Sequence, residues 1–469
     1  MLVYIRWIYN GIEKMTVNKK LAFIYFLALS LEFLILFFVV KHFGWHLVPY
    51  LEGVDTTDYL AIAKNLAVNG VYSKSAVVPF IPNFLRLPGY PFWLAFVYSI
   101  FKSFTPAIFL GMVVFALSAP LTYLIMKEVF SEKLAFWSGI IFALEPRMAF
   151  SAPFILSEQI FLPLFLLAVF FAVKFFNNSQ KKNYILLSAL FTGFLALFKS
   201  IALYLWPLFV FLFYLRVRKN YLPKEAIKII GLSVLILIFV IAPWLIRNKI
   251  VLDTWQLSLT GGTVIYWGHL EILERYLGTP SGLAYQKLID KANRLAGSNW
   301  ETAKAAKILT REAFTAIKNH PKEYFRVYTS NLPLFFITDG YKGIISYTTN
   351  MSQNYTNFSD LLLRLKFREF FEGLKDFSIF NIILPIVGRS VWLGFTILSF
   401  FGIYLGIKNM TEKRLLLIFF TFIILYFALL TGPIGFDPRY RMPVNAFLIA
   451  FALVGVFHFL KIDSKTTQT

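Results

Sequence analysis

The chain has 469 residues, of which 58% are hydrophobic and 19% aromatic, and its mean hydropathy is +0.66, above the range of soluble globular proteins. A formal charge of +21 would suggest nucleic-acid binding in a soluble protein, but here Lys and Arg lie in short loops between apolar runs, where they set membrane orientation. Composition therefore predicts an all-α polytopic integral membrane protein and argues against nucleic acid as a partner. Without cysteine, the chain has no disulfide and no thiolate nucleophile.

Apolar runs that suit membrane-spanning helices recur along the chain and predict about ten spans. They lie near 21–41, 105–126, 134–151, 159–176, 184–198, 201–215, 227–246, 380–406, 415–431 and 443–460. The residues before the first run have no small-residue cleavage site, so this run is predicted to be an uncleaved helix. Glu32, inside that helix, is expected to find a polar neighbour between helices.

Basic residues fall between alternate runs, and this parity predicts the topology. The clusters are Lys127 and Lys133; Lys174, Lys181 and Lys182; Arg216, Arg218, Lys219, Lys224 and Lys228; Lys408, Lys413 and Arg414; and Lys461. All of them are cytoplasmic if the N-terminus is, and the C-terminus is then cytoplasmic as well. The segments 42–104, 247–379 and 432–442 are placed outside, and 89–103 is predicted to form a helix along the outer surface.

The predicted spans divide the chain into three parts. Residues 1–246 form an N-terminal transmembrane module whose first outer loop is 42–104. Residues 247–379 form a small extracytoplasmic segment with helical patterns, and residues 380–469 form the C-terminal transmembrane helices.

The first outer loop contains "DTTDYLAIAKNLAVNG", in which apolar residues recur at helical spacing. Asp55 and Asp58 stand at the start of this predicted helix. Two interpretations remain open for them: Asp55 caps the helix while Asp58 favours its dipole, or the carboxylates take part in chemistry.

Other charged residues recur at the same outer boundary, in loops that are far apart in sequence. Each cation alone is explained as an interface anchor, but five loops that each carry one predict a shared site for an anion. The residues are Arg86, Glu145, Arg147, Glu158, Lys199, Arg247, Arg439 and Arg441. Glu145 is expected to pair with Arg147. Arg and Lys hold phosphate oxygens and carboxylates take protons, so the set suits group transfer from a lipid phosphate.

Four segments resemble motifs of the GT-C membrane glycosyltransferases, of the kind related to protein mannosyltransferases and aminoarabinose transferases. "VDTTDYLAIAKNL" resembles an Asp-x-x-x-Tyr-x-x-x-Ala pattern in the first outer loop, and "RLPGYPFWLAFVYSIF" an Arg-x-Pro-Gly-Tyr-Pro segment. "ILSEQIFLPLFLL" is similar to a Ser-Glu-Pro-Leu motif and "RYRMPVNAFL" to a closing Arg-Tyr-Arg-x-Pro segment. Gln159 departs from the pattern where Pro is common, and Lys199 stands where Arg often ends the fifth span.

The resemblance implies a GT-C-like fold with outer juxtamembrane helices, in the inner membrane of a prokaryote. It implies transfer of one sugar, with inversion, from a polyprenyl-phosphate donor to a glycolipid, polysaccharide or protein acceptor on the outer face. It implies Asp55 as general base, Asp58 as the alternative and Glu158 as a second carboxylate. For the donor phosphate it implies the following set: Arg86, Lys199, Arg247, Arg441, Arg439 and Tyr59.

The sequence predicts no metal ligand, because no HExxH motif occurs and a histidine near a membrane surface is usually structural, although His42 and His46 stand at HxxxH spacing. The resemblance leaves a divalent cation open, because some relatives use one between loop carboxylates and others need none. Two rival functions remain: a transporter or flippase of a lipid-linked sugar, and a structural subunit without activity. Transporters place charges near the bilayer midplane, whereas here they stand at the outer ends of spans.

Overall fold

The structure is a computed structural model that describes residues 15–51, 53–218, 221–297, 302–348, 368, 372, 379–431 and 437–461. Over these residues the chain is almost entirely helical, and the β pairing in them is a single antiparallel bridge between Ser73 and Pro82. The predicted all-α membrane architecture is confirmed. Lys219, which belongs to one of the predicted basic clusters, lies outside the described residues, as does most of 349–378.

The helices follow one another through short connections. In the first half they are α1 (Val17–Phe43), α2 (Gly53–Asn69), α3 (Gly89–Phe101), α4 (Thr105–Ala116), α5 (Ser118–Lys127), α6 (Glu132–Leu144), α7 (Pro146–Ser151), α8 (Glu158–Asn177), α9 (Asn183–Phe198), α10 (Ile201–Val217) and α11 (Pro223–Leu252). In the second half they are α12 (Thr260–Val264), a π-helical turn (Ile265–Leu270), α13 (Glu271–Tyr276), α14 (Ser281–Ala296), α15 (Ala303–Asn319), α16 (Pro321–Ile337), α17 (Tyr341–Thr348), α18 (Ile379–Asn409), α19 (Arg414–Thr431), a 3₁₀ turn (Pro438–Tyr440) and α20 (Met442–Phe459).

Seven helical stretches of the described chain are long and apolar enough to cross a membrane. They are α1, the continuous pair α4–α5, α8, α11, most of α18, α19 and α20. The predicted number of ten spans is not confirmed, because α9 and α10 are apolar but have only 16 and 17 residues.

The predicted span 134–151 is broken at Glu145. This residue has extended backbone angles (φ −65°, ψ 118°), and Pro146 after it disfavours the helical conformation in the preceding residue. Its carboxylate instead caps the next helix by accepting a hydrogen bond from the amide of Met148 at 2.9 Å. The run therefore folds as α6 and α7 rather than as one helix.

Basic residues from distant loops meet at one end of the bundle. Lys20 lies 2.9 Å from Glu132, and Lys174 lies 2.5 Å from Glu128. Lys413 donates to the backbone carbonyl of Glu128 at 3.2 Å. These contacts join α1, α5–α6, α8 and the α18–α19 loop, which is the grouping that the basic parity predicts.

Helix α20 lies in the middle of the bundle and packs against α18, α6, α19 and α8. Its contact with α18 is so close that the backbone carbonyl of Phe451 occupies the place where a Cβ on Gly402 would lie. Small residues allow membrane helices to approach in this way. The main core thus forms around α20, which carries the closing Arg-Tyr-Arg segment at its N-terminus.

The segment after α11 adds a second, small core at the other end of the molecule from the basic clusters. Tyr266, Leu270, Leu288 and Leu309 form it, together with neighbours from α13 to α16. Helices are therefore present where the sequence predicts a small helical segment.

Glu32 is buried in α1, where it lines a small cavity together with Ser118. Among the described residues, neither Glu32 Oε2 nor the Ser118 hydroxyl has a hydrogen-bond partner, so the polar neighbour predicted for Glu32 stays a prediction.

We expect Gly402→Ala to lower stability by about 1–3 kcal/mol, the usual cost of overpacking, because the added methyl group must displace the backbone of Phe451. Gly394→Ala on the same helix is the matched control, since nothing lies within 4 Å of its Cβ position. Thermal unfolding of the purified variants measures the difference. Equal melting temperatures for the two variants would contradict the close α18–α20 packing.

Candidate active site

A cavity of about 530 Å³ opens at the end of the bundle opposite the basic clusters. It lies between α2, the start of α8, the α9–α10 turn, α12 and the 3₁₀ turn before α20. The charged groups that line it are Asp55, Arg86, Glu158, Lys199 and Arg439. Apolar and aromatic side chains complete the lining, some of them directly beside the charges, and this set is called the apolar wall: Phe161, Phe198, Ile201, Tyr204, Phe427 and Leu430. Nine residues were predicted for the site. Five of them are the charged residues of this cavity, and a sixth, Tyr59, also lines it.

Arg86 joins the two acids of the first loop. Its Nη1 lies 2.7 Å from Asp55 Oδ1, and its Nη2 and Nε lie 2.9 and 3.0 Å from Asp58 Oδ2. The backbone around it is fixed, because its amide donates to Asn83 at 2.9 Å and its carbonyl accepts from the Tyr72 hydroxyl at 3.0 Å. The predicted loop acids and the predicted phosphate-binding arginine therefore form one cluster.

Asp55 is held from two sides. Its second oxygen, Oδ2, lies 3.3 Å from Nη1 of Arg439, so the carboxylate sits between two guanidinium groups. Helix α2 begins at Gly53, so Asp55 lies within the first turn and points its carboxylate at these cations. The side chain is about one third exposed and faces the cavity.

Asp58 lies behind this pair. Besides its two contacts with Arg86, its Oδ1 is 3.4 Å from Nζ of Lys74, and the residue is not part of the cavity wall. Its side chain is only 11% exposed, so an acceptor in the cavity would meet Asp55 first.

Glu158 and Lys199 form the second ion pair of the cavity, at 2.6 Å. Glu158 is in the first turn of α8, where the helix dipole favours an anion, and it also accepts from the Ser157 hydroxyl at 3.2 Å. Thr56 of α2 donates to the carbonyl of Ile155 at 3.1 Å, which ties the first loop to the start of α8.

The Pro-Gly-Tyr-Pro turn after Arg86 packs directly on the end of α9. A Cβ on Gly89 would lie 2.9 Å from the carbonyl of Leu197 and 2.6 Å from the ring of Phe198, so the predicted close approach requires glycine. Lys199 follows this contact, and its position relative to Arg86 is thus set by backbone packing.

Gln159, the departure from the motif, joins two elements of the site. It accepts from the Tyr90 hydroxyl at 2.7 Å and donates to the carbonyl of Ala152 at 2.6 Å. Tyr90 in turn packs edge-on against Tyr59, with ring centroids 5.1 Å apart. Sequence reasoning noted Gln159 only as a departure, because its partners are far away in the chain.

Tyr59 lies under the guanidinium of Arg86, whose central carbon is 5.3 Å from the ring centre. Burial raises the pKa of its hydroxyl to about 12, so it remains a neutral hydrogen-bonding group at physiological pH. Its ring face makes a cation–π contact with the Arg86 guanidinium.

The two arginines of the cavity are firmly charged. Burial opposes the charge of Arg86, but Asp55, Tyr59 and Asp58 outweigh it and raise the guanidinium pKa. Burial likewise opposes the charge of Arg439, and Asp437 and Glu158 outweigh it, so its pKa is raised as well. Three cations and two carboxylates line the cavity, which leaves one positive charge in excess.

Arg247 and Arg441 lie outside the cavity wall, in contrast to the prediction. The guanidinium of Arg247 stacks on Trp244 at 4.8 Å and donates to the carbonyl of Asn83 at 3.2 Å. Arg441 is 1% exposed, donates to the carbonyls of Phe335 and Phe336 at 3.1 and 2.6 Å, and lies 3.5 Å from the ring centre of Trp392. Both side chains hold backbone segments in place.

The predicted pairing of Glu145 with Arg147 is wrong. Arg147 reaches Asp437 at 3.4 Å, and Asp437 in turn lies 3.0 Å from Arg439. Glu145 accepts from Tyr341 at 3.3 Å instead. Glu145 and Arg147 do not pair because the Glu145 carboxylate caps α7 instead.

One wall of the cavity comes from α12, which sequence reasoning did not single out. Thr260, Gly261 and Val264 line it, and Ser258 donates to the carbonyl of Leu85 at 3.0 Å beside Arg86. "SLTGG" is short and has no periodicity that could have identified it.

Over the described residues, no group of three or more His, Cys, Asp or Glu side chains gathers where a metal ion could be held. Asp55 and Glu158 each have a Lys or Arg partner instead. The residues of the cavity thus do not make a recognisable metal centre, and a divalent cation stays an open expectation.

A cationic cavity built from the first loop, the start of α8 and the last helix is the arrangement that the resemblance to membrane glycosyltransferases implies. Residues 86–246 match the model of the dolichyl-phosphate-mannose-protein mannosyltransferase family, and the predicted resemblance to membrane glycosyltransferases of this kind is confirmed over that segment. This segment contains Arg86, Glu158 and Lys199. No curated protein sequence matches the chain.

Two solved proteins are similar in structure. The Archaeoglobus fulgidus oligosaccharyltransferase AglB, in complex with an inhibitory peptide and a dolichol-phosphate, has a TM-score of 0.47 and 14% identity over 93% of this chain and 51% of its own. ArnT from Cupriavidus metallidurans bound to undecaprenyl phosphate has a TM-score of 0.41 and 12% identity over 92% of this chain and 77% of its own. The chain thus spans about half the length of the oligosaccharyltransferase.

We expect Arg441→Ala to lower stability and Arg439→Ala to leave it nearly unchanged, although the two residues are close in sequence. Arg441→Ala removes the donor of the buried Phe335 carbonyl and leaves the Phe336 carbonyl with only the longer contact from Thr396 at 3.3 Å, so it should lower stability by about 2 kcal/mol or more. Arg439→Ala should leave the melting temperature nearly unchanged, because its side chain borders the cavity. Thermal unfolding of both purified variants is the measurement, and a stable Arg441→Ala protein would contradict the assignment.

Proposed function

We propose that the chain is an inverting glycosyltransferase that moves one sugar from a polyprenyl-phosphate donor to an acceptor hydroxyl or amide. The observation that carries the proposal is the Asp55 carboxylate held between Arg86 and Arg439 at the edge of a cavity that is also lined by the apolar wall. The match of residues 86–246 to a mannosyltransferase family supports the same chemistry.

The charged groups of the cavity suit the phosphate of such a donor, and the apolar wall suits its prenyl chain. Arg86, Lys199 and Arg439 offer the phosphate one positive charge more than the cavity carboxylates cancel. The apolar wall offers a prenyl chain contact with Phe161, Phe427 and their neighbours. Tyr204 and Leu430, which are 66% and 47% exposed, mark the side of this wall that is open to lipid.

Without donor, the carboxylates of the cavity occupy the positions that a phosphate needs. Both oxygens of Asp55 contact guanidinium groups, so an acceptor hydroxyl has to compete with these contacts for the carboxylate. A phosphate that takes over the contacts with Arg86 and Arg439 frees Asp55 to accept a proton. Donor binding and activation of the base are then one event.

In the reaction, the acceptor oxygen or nitrogen attacks the anomeric carbon from the side opposite the phosphate while Asp55 takes its proton. The bond between the anomeric carbon and the phosphate oxygen breaks, and its electron pair leaves with polyprenyl phosphate. The leaving phosphate gains one negative charge, which Arg86, Lys199 and Arg439 stabilise. Glu158 steadies the positive charge that develops on the sugar ring and keeps Lys199 in place.

Asp58 is the weaker candidate for the base. It has two contacts with Arg86 and one with Lys74, and it stands behind Asp55 as seen from the cavity. Its role in this proposal is to orient Arg86.

The proposal places the reaction on the outer face of a prokaryotic inner membrane, with cytoplasmic termini. The basic clusters gather at the end of the bundle opposite the cavity, in agreement with this orientation. Glycolipid, polysaccharide and protein remain acceptor classes. The cavity stands at one end of the bundle, and no observation favours a flippase.

We expect Asp55→Asn to lower turnover by about a hundredfold or more, because the amide cannot take the acceptor proton. Binding of the donor should be kept or improved, since one counter-charge of the cations is removed. Turnover and donor binding of the purified variant are measured separately, with Lys64→Gln on the exposed face of α2 as the control. Near-normal turnover would return Asp55 to a structural role and move the base to Asp58.

We expect a single cysteine at Lys64 of the cysteine-free chain to react with an impermeant thiol reagent in intact cells. A cysteine at Gln180, in the α8–α9 loop, should react only after the membrane is opened. Both positions are exposed, so burial does not decide the result. Labelling of Gln180→Cys in intact cells would reverse the proposed orientation.

A further inference from the structure

Helix α15 carries exposed cations along one face. These cations follow one another at spacings of three, four and seven residues, which places them on one face of the helix over a length of about 21 Å. They are Lys304, Lys307, Arg311 and Lys318. All four are exposed, and Phe314, which is 55% exposed, lies on the same stripe. These five residues are called the α15 stripe.

The stripe cations contribute little to the fold, although Lys249 and Lys307 act together to lower the pKa of the Asp253 carboxyl. The opposite face of α15 holds Ala305, Leu309 and Ala313, which are 0% exposed and serve the packing. Glu312 lies beside the stripe and pairs with Lys291 of α14 at 2.5 Å. Within the described part of the chain, no carboxylate lies within 4 Å of a stripe cation. A surface that exposes four cations on one face suits an anionic partner.

The end of α11 shows where the membrane surface lies. Apolar side chains are exposed along this helix up to its last turn, with Phe239 at 80% and Ile250 at 77%. Trp255 follows and is 63% exposed. Exposed apolar residues on a spanning helix face lipid, and tryptophan prefers the membrane–water interface. The surface at this end of the bundle therefore lies close to Ile250 and Trp255.

Helix α15 starts at this same level. Its Ala306 packs in one small cluster with Leu252, the last residue of α11, and with Phe84. The loop that leads to Phe84 exposes Val77 and Val78 at 73% and 75%. An apolar loop tip next to a cationic helix combines the two features of surface-bound membrane segments, which are apolar insertion and contact with lipid phosphates.

We propose that the α15 stripe and the tip at Val77 and Val78 bind the membrane surface next to the cavity. The stripe takes the phosphate groups of anionic lipids, and the tip enters the headgroup layer. This contact holds the segment after α11 against the bilayer, so that the cavity wall formed by α12 stays at the level of a lipid-borne phosphate. The lipid binding itself does not depend on the proposed sugar transfer, whereas its consequence for the cavity wall rests on that function.

The first test compares two variants that each lose two exposed charges. Lys307→Gln with Arg311→Gln removes half of the stripe, and Lys287→Gln with Lys322→Gln removes two cations of α14 and α16 outside it. The full chain is purified from bilayers of phosphatidylglycerol and phosphatidylcholine, and the lipids that it retains are counted by mass spectrometry. We expect the stripe variant to retain several-fold less phosphatidylglycerol than wild type, and the control to match wild type.

The second test measures proximity and does not need an intact lipid site. Single cysteines at Val77 and Lys307 receive a fluorescent label, and bilayers contain a quencher on the lipid headgroup. We expect strong quenching at both positions. Absence of quenching together with unchanged phosphatidylglycerol retention overturns the proposal. It is equally overturned if the stripe variant keeps its lipids but loses binding to a soluble anionic polysaccharide, since the stripe would then serve a water-borne partner.

Discussion

The ion-pair chain of Asp58, Arg86, Asp55 and Arg439 is the constraint on which the rest of the site depends. It connects the first loop to the segment before the last helix, through contacts of 2.7–3.3 Å. Such partly buried pairs add little net stability, because desolvation of the charges offsets their attraction. Their consequence is geometric, since the pairs fix a guanidinium and a carboxylate at the edge of the cavity where a phosphate would enter.

Other contacts in the molecule keep this chain in position rather than contribute chemistry. Gly89 lets the turn after Arg86 rest on the end of α9, and Gln159 connects that turn to the start of α8. The glycine contact between α18 and α20 fixes the helix that follows Arg439. The site is therefore assembled from loops that are hundreds of residues apart, but each loop is tied to a close-packed helix end, which limits how far the charged groups can move.

Much of this arrangement could be predicted from the sequence because it follows from periodicity and charge. Apolar runs locate the helices, the basic parity separates the two ends, and charges at the outer ends identify Asp55, Arg86, Glu158 and Lys199, which do meet. The direction in which each charged side chain points could not be predicted from the sequence. Arg441 stands two residues after Arg439 but turns into the core, where it donates to the carbonyls of Phe335 and Phe336. The break at Glu145 and the α12 wall likewise depend on contacts far away in the chain.

The most direct measurement is to incubate the purified protein with a polyprenyl-phosphate sugar labelled in both sugar and lipid, in liposomes with extracts of candidate acceptors. If the cavity transfers sugar, polyprenyl phosphate is released in step with labelling of an acceptor, and the new bond has the inverted anomeric configuration. If the labelled lipid instead crosses the bilayer intact and no polyprenyl phosphate forms with any acceptor, the cavity carries the donor across rather than cleaving it, and the account is contradicted.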